Sequence, residues 1–175
     1  MKWRTATGIL CDKKMPIRLK SKVYRTVVRP AALYGTECSA ATKVTKQVLH
    51  TKEMRMLRWS MGVTLKDKAS NEVVRSTFGV APINDKMRKA RLRWFGHVLR
   101  REGGSVAKTA LEVKGTRPRG RPKTRWLDCV KSDMAEVQLT TKDANNRNKC
   151  RRDAVQRTLR LRGTNARKEK KEKRR

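Results

Sequence analysis

Between Ile83 and Arg101 the chain repeats apolar residues at helical spacing, and basic residues fill the gaps between them. Ile83, Met87, Ala90, Trp94 and Val98 make one row, and Phe95 and Leu99 widen it into the stripe of a core-facing helix. Arg88, Lys89, Arg91, Arg93, Arg100 and Arg101 occupy much of the remaining circumference. A segment patterned this way can bury one side only; the other must face water or a polyanion. The same demand runs along the whole chain, where 47 Lys and Arg against 15 Asp and Glu leave +32 over 175 residues. Such an excess says little about fold and much about partners. RNA or DNA is the matching partner, held mainly through phosphates, because released counterions drive association. The apolar content of 37% lies below the roughly 45–50% of ordinary globular domains, so a small core of marginal stability is expected. No apolar run approaches the roughly 20 residues of a spanning helix, and no membrane partner is expected.

The rest of the chain reads as helices. Residues 1–15 give no sustained period and form an irregular lead-in, and they lack the apolar core of a secretory signal. A first helix begins near Pro16, with Ile17, Leu19, Val23, Val27 and Val28 as its apolar face and Lys20, Lys22, Arg25 and Arg29 as a solvated side. Pro30 should end or kink it, with room for Ala31-Ala-Leu-Tyr34 to continue a turn before Gly35. Thr42 caps a second helix, Lys43 to Met61, which Gly62 stops, with Met54, Met56 and Met61 filling gaps in the core. Ser70 or Asn71 opens a third, with Val73, Val74 and Phe78 inward and Gly79 at its end. The helix from Ile83 follows. A short helix starts at Ser105, another spans Lys123 to Val137, and Thr140 with Asp143 forms a capping box for a last one carrying Ala144, Ala154 and Val155. The expected architecture is mainly α: a small bundle of about six or seven helices over residues 16–161. The Lys/Arg/Glu-rich end, 162–175, reads as a disordered basic tail.

Catalytic signals are weak. No Asp-Asp pair suited to two metal ions, no phosphate-binding glycine loop and no nucleophile motif is present. The four cysteines stand far apart and the two histidines, His50 and His97, complete no zinc spacing. No metal, cofactor or small-molecule substrate is expected, and the thiols fit a reduced, intracellular setting. Binding signals are stronger. Arg119-Gly-Arg-Pro122, flanked by Pro118 and Lys123, resembles the core of an AT-hook, in which glycine lets the backbone approach the minor-groove floor and arginines reach along a groove of negative potential. A basic interhelical loop that grips phosphates is the simpler reading of the same residues. The nucleic-acid-binding candidates are Arg91, Arg93, Arg100 and Arg101 on the helix, and Arg117, Arg119, Arg121, Lys123 and Arg125 around the loop. Trp94, Phe95 and Trp126 could stack on unpaired bases, but their spacing favours packing in the core.

Four strings occur in order: Val28-Arg-Pro-Ala-Ala-Leu-Tyr-Gly-Thr-Glu37, Glu53-Met-Arg-Met-Leu-Arg-Trp59, Arg91-Leu-Arg-Trp-Phe-Gly-His-Val-Leu-Arg-Arg101 and Arg119-Gly-Arg-Pro-Lys-Thr-Arg-Trp126. Together they resemble the C-terminal, post-palm region of reverse transcriptases from non-LTR retrotransposons, LINE-like elements of the RTE type. The resemblance covers roughly Trp3 to Ala154. It implies a thumb-like segment that helps hold template RNA and target DNA, is not itself an enzyme, and acts in the nucleus. The polymerase Asp-Asp turn and the endonuclease of that family lie upstream of the matching region, so a polymerase domain encoded upstream is a further expected partner. Two departures stand out: Cys38-Ser39 and Cys150 occupy places where the family usually has Trp. Loss of those anchors would weaken packing if the sites are buried, as in a decayed genomic copy. The alternative is a chromatin protein that uses Arg119 and Arg121 as a true AT-hook.

Overall fold

The computed structural model describes residues 2–64, 66–113, 119–120 and 124–148. It is mainly helical, with no strand among the described residues. The helices are α1 (Lys2–Cys11), α2 (Ile17–Val23), α3 (Arg29–Leu33), α4 (Lys43–Met61), α5 (Asn71–Phe78), α6 (Ile83–Leu99), α7 (Val106–Glu112), α8 (Trp126–Val137) and α9 (Thr141–Asn145). A π-helical turn, Tyr24–Val28, joins α2 to α3. The chain divides into two compact units: residues 1–36 with 41–87, and residues 37–40 with 88–175. One domain over 16–161 was the expectation. The division falls inside α6, whose unbroken period gives no sign of it.

Residues 1–15 are not an irregular lead-in, since α1 fills most of them. Ala6 and Leu10, four apart, are buried in the core of the first unit. With only two anchors, the period of α1 is too short to stand out in the sequence. The ends of α4 and α5 follow the expected chemistry. The Thr42 and Ser70 hydroxyls accept from the backbone N–H groups of Thr45 and Val73 at 3.2 and 3.3 Å. Gly62 and Gly79 close the two helices in the left-handed conformation, at φ +69° and +60°. The α8 helix starts at Trp126, three residues later than expected, where the Asp128 carboxylate accepts from the Arg125 N–H at 3.1 Å. Helix α9 ends at Asn145, and Ala154, Val155 and the tail 162–175 lie outside the described residues.

Pro30 does not end its helix: α3 continues for the turn allowed after it, before Gly35 at φ +75°. The Pro30 ring and missing N–H disturb the turn before it. There the backbone widens, so that the Arg29 N–H reaches back five residues to the Tyr24 carbonyl. The predicted apolar face is buried only in part. Val28 is in the core and Val23 packs against it, but Leu19 and Val27 are 48% and 41% exposed, while Lys20 and Arg29, expected on the solvated side, are buried with Ser21 and Tyr24. The polar members of that face find specific partners. Lys20 Nζ donates to the Ser60 carbonyl at 2.9 Å, and Ser21 Oγ donates to the Phe78 carbonyl at 2.5 Å.

At the centre of this unit stands Glu53, 0% exposed. Its carboxylate accepts from the Tyr24 hydroxyl at 2.6 Å, Arg29 Nη2 at 3.0 Å and the Ile83 N–H at 3.2 Å. Arg75 Nε lies 3.9 Å away. Arg29 also donates to the Ala81 carbonyl, and Arg75 Nη2 meets His50 Nδ1 at 2.8 Å. Burial, and next the Glu53 charge, push the Tyr24 phenol well above its ordinary 10, which keeps its proton available for donation. Around this polar centre Ala6, Leu10, Val28, Met54, Leu57, Val74, Phe78 and Val80 form the core, and Met56 and Met61 pack against it as the methionine reading anticipated. Val73, expected inward, is 55% exposed.

Candidate nucleic-acid interface

The second unit is built on α6 and α8. Leu92 and Phe95 from α6 meet Val130, Met134 and Val137 from α8, with Leu139 and Ala144 closing the core. The Phe95 and Trp126 rings pack edge to face at 6.1 Å. The Trp126 indole N–H donates to the Glu37 carbonyl, 89 residues away in sequence, at 2.7 Å. Both aromatic side chains therefore serve packing, as their spacing suggested.

Two of the α6 arginines pair with carboxylates of α8, one at the surface and one buried. Arg88 Nη2 pairs with Glu136 Oε1 at 2.9 Å, and Arg91 Nη1 pairs with Asp133 Oδ2 at 2.5 Å. The order 88-to-136 and 91-to-133 makes the two helices antiparallel, and the three-residue steps on each helix match. Arg91 is 0% exposed. It was expected to contact nucleic acid, and the structure corrects that: a guanidinium closed in by protein and engaged with a carboxylate offers nothing to a phosphate. The helical phase held the signal, since Arg91 falls four residues after Met87 and four before Phe95, in the same buried stripe.

The other face of α6 is exposed and basic. Arg93 and His97 lie one turn apart, with Arg100 and Arg101 another turn on, and all four reach the surface. Arg100 also donates to the Ala144 carbonyl at 2.8 Å, which anchors its side chain. Arg101 Nη2 sits 3.3 Å from His97 Nε2, and the His97 ring lies 5.6 Å from that of half-buried Trp94. Past the end of the helix, His97, Arg100, Arg101, Glu102, Gly104 and Ser105 line an open depression of about 650 Å³. The arrangement suits anions, with guanidinium groups for phosphate oxygens and solvent access for a long polymer. Arg119 and Arg125 are exposed as well, and Gly120 takes φ +115°, a conformation glycine adopts readily. Arg117, Arg121 and Lys123 lie outside the described residues. The structure thus brings Arg93, Arg100 and Arg101 together on one stripe. Among the described residues no cluster of His, Cys, Asp and Glu is placed to hold a metal ion.

Cys38 and Ser39, where the resembling family has a larger residue, are both exposed. The condition for lost core packing is therefore not met there. Cys150 lies outside the described residues. Three of the four strings that carry the resemblance make contacts with one another, each contact within a single unit. Arg29 and Glu53 join the first string to the second, and Glu37 and Trp126 join the first to the fourth.

No known protein family profile and no solved structure matches the chain. An uncharacterized transposon-derived protein of Caenorhabditis elegans is 26% identical over 148 residues, which cover 81% of this chain and 50% of that protein. The chain thus spans about half the length of the curated relative it matches. With that similarity, a helical, strongly basic chain acquires a link to transposon-derived sequence.

Proposed function

We propose that the chain is the nucleic-acid-binding C-terminal segment of a LINE-like, RTE-type reverse transcriptase, following the palm and without polymerase or endonuclease chemistry of its own. In this reading it works in the nucleus on RNA and DNA, alongside a polymerase domain encoded upstream. The observation that carries it is the division of labour along α6. No acidic residue occurs from Lys86 to Arg101. Arg88 and Arg91 pair with the α8 carboxylates Glu136 and Asp133, and Arg93, Arg100 and Arg101 face outward. The ordered four-string resemblance and the transposon-derived relative support the reading.

The test is salt-dependent binding of the purified chain to RNA and to DNA. Affinity is expected to fall by roughly 10³–10⁵ between 50 and 200 mM salt if 6–10 phosphates are neutralised. Arg93→Ala/Arg101→Ala should lower the slope of log affinity against log salt by about two. A flat salt response excludes the proposal. The exposed Arg119 beside the positive-φ Gly120 favours one second reading, an AT-hook. It predicts preference for A·T-rich duplex, lost in Arg119→Ala/Arg121→Ala; equal binding to A·T- and G·C-rich duplexes excludes it.

A further inference from the structure

Helix α4, in the first unit, carries six charged side chains. Five are cations: Lys43, Lys46, Lys52, Arg55 and Arg58. The sixth, Glu53, is turned fully inward and held by Tyr24, Arg29 and Arg75. The water-facing surface of α4 therefore carries positive charge with no carboxylate of its own helix to offset it. On that surface stands Trp59, 53% exposed. Arg55 is four residues before it and Lys52 seven, so the three share one side of the helix. Both cations are exposed. Arg58, beside Trp59, is fixed by donating to the Ala69 carbonyl at 3.0 Å and to Asn71 Oδ1 at 2.8 Å. Elsewhere in the chain the indoles of Trp94 and Trp126 are half-buried.

We propose that this face of α4 is a second nucleic-acid contact, selective for unpaired nucleotides: a base stacks on the Trp59 indole while Lys52 and Arg55 hold the adjoining phosphates. The inference rests on the nucleic-acid-binding reading but uses a different unit of the protein and a different interaction. Leaving half a tryptophan in water forgoes hydrophobic stabilisation that burial would supply. An exposed aromatic ring with cations in line beside it is the arrangement single strands use, because every base has a π-face and every linkage a phosphate. Duplex does not satisfy it, since the π-faces of paired bases are covered along the helix. An anionic membrane fits less well, because the other large apolar side chains exposed on α4 are two short valines, Val44 and Val48, 15 and 11 residues before Trp59, and a lone indole offers little depth for insertion.

The experiment measures binding of the full chain to a fluorescent single-stranded 20-mer, oligo(U) or oligo(dT), and to a duplex of equal length. Trp59→Ala should weaken the single-strand complex by roughly 5- to 100-fold and leave duplex affinity within about twofold. Trp59→Phe should restore most of the loss, because a smaller ring still stacks. Lys52→Ala/Arg55→Ala should reduce the single-strand salt slope by about 1.4. Equal losses on single strand and duplex, or no loss on either, overturn the proposal. So does a Trp59→Ala effect confined to phosphatidylserine vesicles, which would assign the face to a lipid surface. If Arg93→Ala/Arg101→Ala weakens binding and Trp59→Ala does not, the α6 interface stands and the α4 face falls. If the wild-type chain binds neither strand nor duplex, both fall.

Discussion

Glu53 has no surface in water, and the residues around it are what make that tolerable. Desolvating a carboxylate costs several kcal/mol unless charge and hydrogen bonds replace its water. Tyr24, Arg29, Arg75 and the Ile83 N–H supply them. Glu53→Ala leaves Arg29 buried beside an empty place, and urea titration should show a loss of about 3–5 kcal/mol. In the second unit Asp133→Ala strands Arg91 in the same way. Replacing both partners, Arg91→Met/Asp133→Leu, should recover much of that loss, since no uncompensated charge remains. His50 adds a pH signature. Its burial, and next the Arg75 guanidinium at its Nδ1, hold its pKa below the ordinary 6.5, so the folded state favours the neutral ring. The unfolded chain then takes up a proton before the folded one does. The stability tied to neutral His50 is complete above pH 6.5 and is lost as pH falls below that value. His50→Gln should flatten that part of the stability–pH curve, measured by denaturant midpoint from pH 5 upward.

At the scale of the helix, the caps of α4 make the clearest prediction. Thr42→Ala should cost about 1 kcal/mol. Gly62→Ala should cost about as much by forcing a Cβ into the left-handed region, and the two losses should add because the sites lie at opposite ends of the helix. These ends were legible in the sequence because caps are local: one hydroxyl or one glycine decides them. Helix phase was less legible wherever polar residues are buried. From α2 into the π-helical turn, Leu19, Val23 and Val27 read as a core face, yet only Val23 packs against the core, and Lys20, Ser21 and Tyr24 are buried because Ser60, Phe78 and Glu53 receive them. Those partners are 29 to 57 residues away, beyond what a local period can report. Arg91 is a different case: its place between Met87 and Phe95 marks it as buried, and only the identity of its partner, Asp133, 42 residues on, is beyond a local reading. The exposure of Trp59 is likewise not legible locally, because a tryptophan at helical spacing ordinarily marks a core. Arg93 and Arg100 could be placed from the sequence, since each is turned away from the apolar row; Arg101 is exposed because it stands beyond the end of α6.

For the molecule as a whole, +32 means that folding gathers like charges, and a polyanion that binds the folded chain should stabilise it. RNA at about 100 times its Kd should raise the unfolding free energy by about 2.7 kcal/mol at low salt, with the gain fading as salt weakens binding; calorimetry with and without RNA measures this. The division into two units carries a further consequence for anyone who cuts the gene. Residues 37–40 belong with 88–175, while the chain on both sides of them belongs with the first unit. A fragment beginning at Arg88 would lack the Glu37 carbonyl that receives the Trp126 indole. A fragment ending at Met87 would carry four residues whose partners are gone. No single break in the chain separates the units cleanly, so the smallest independently expressible piece should be the pair.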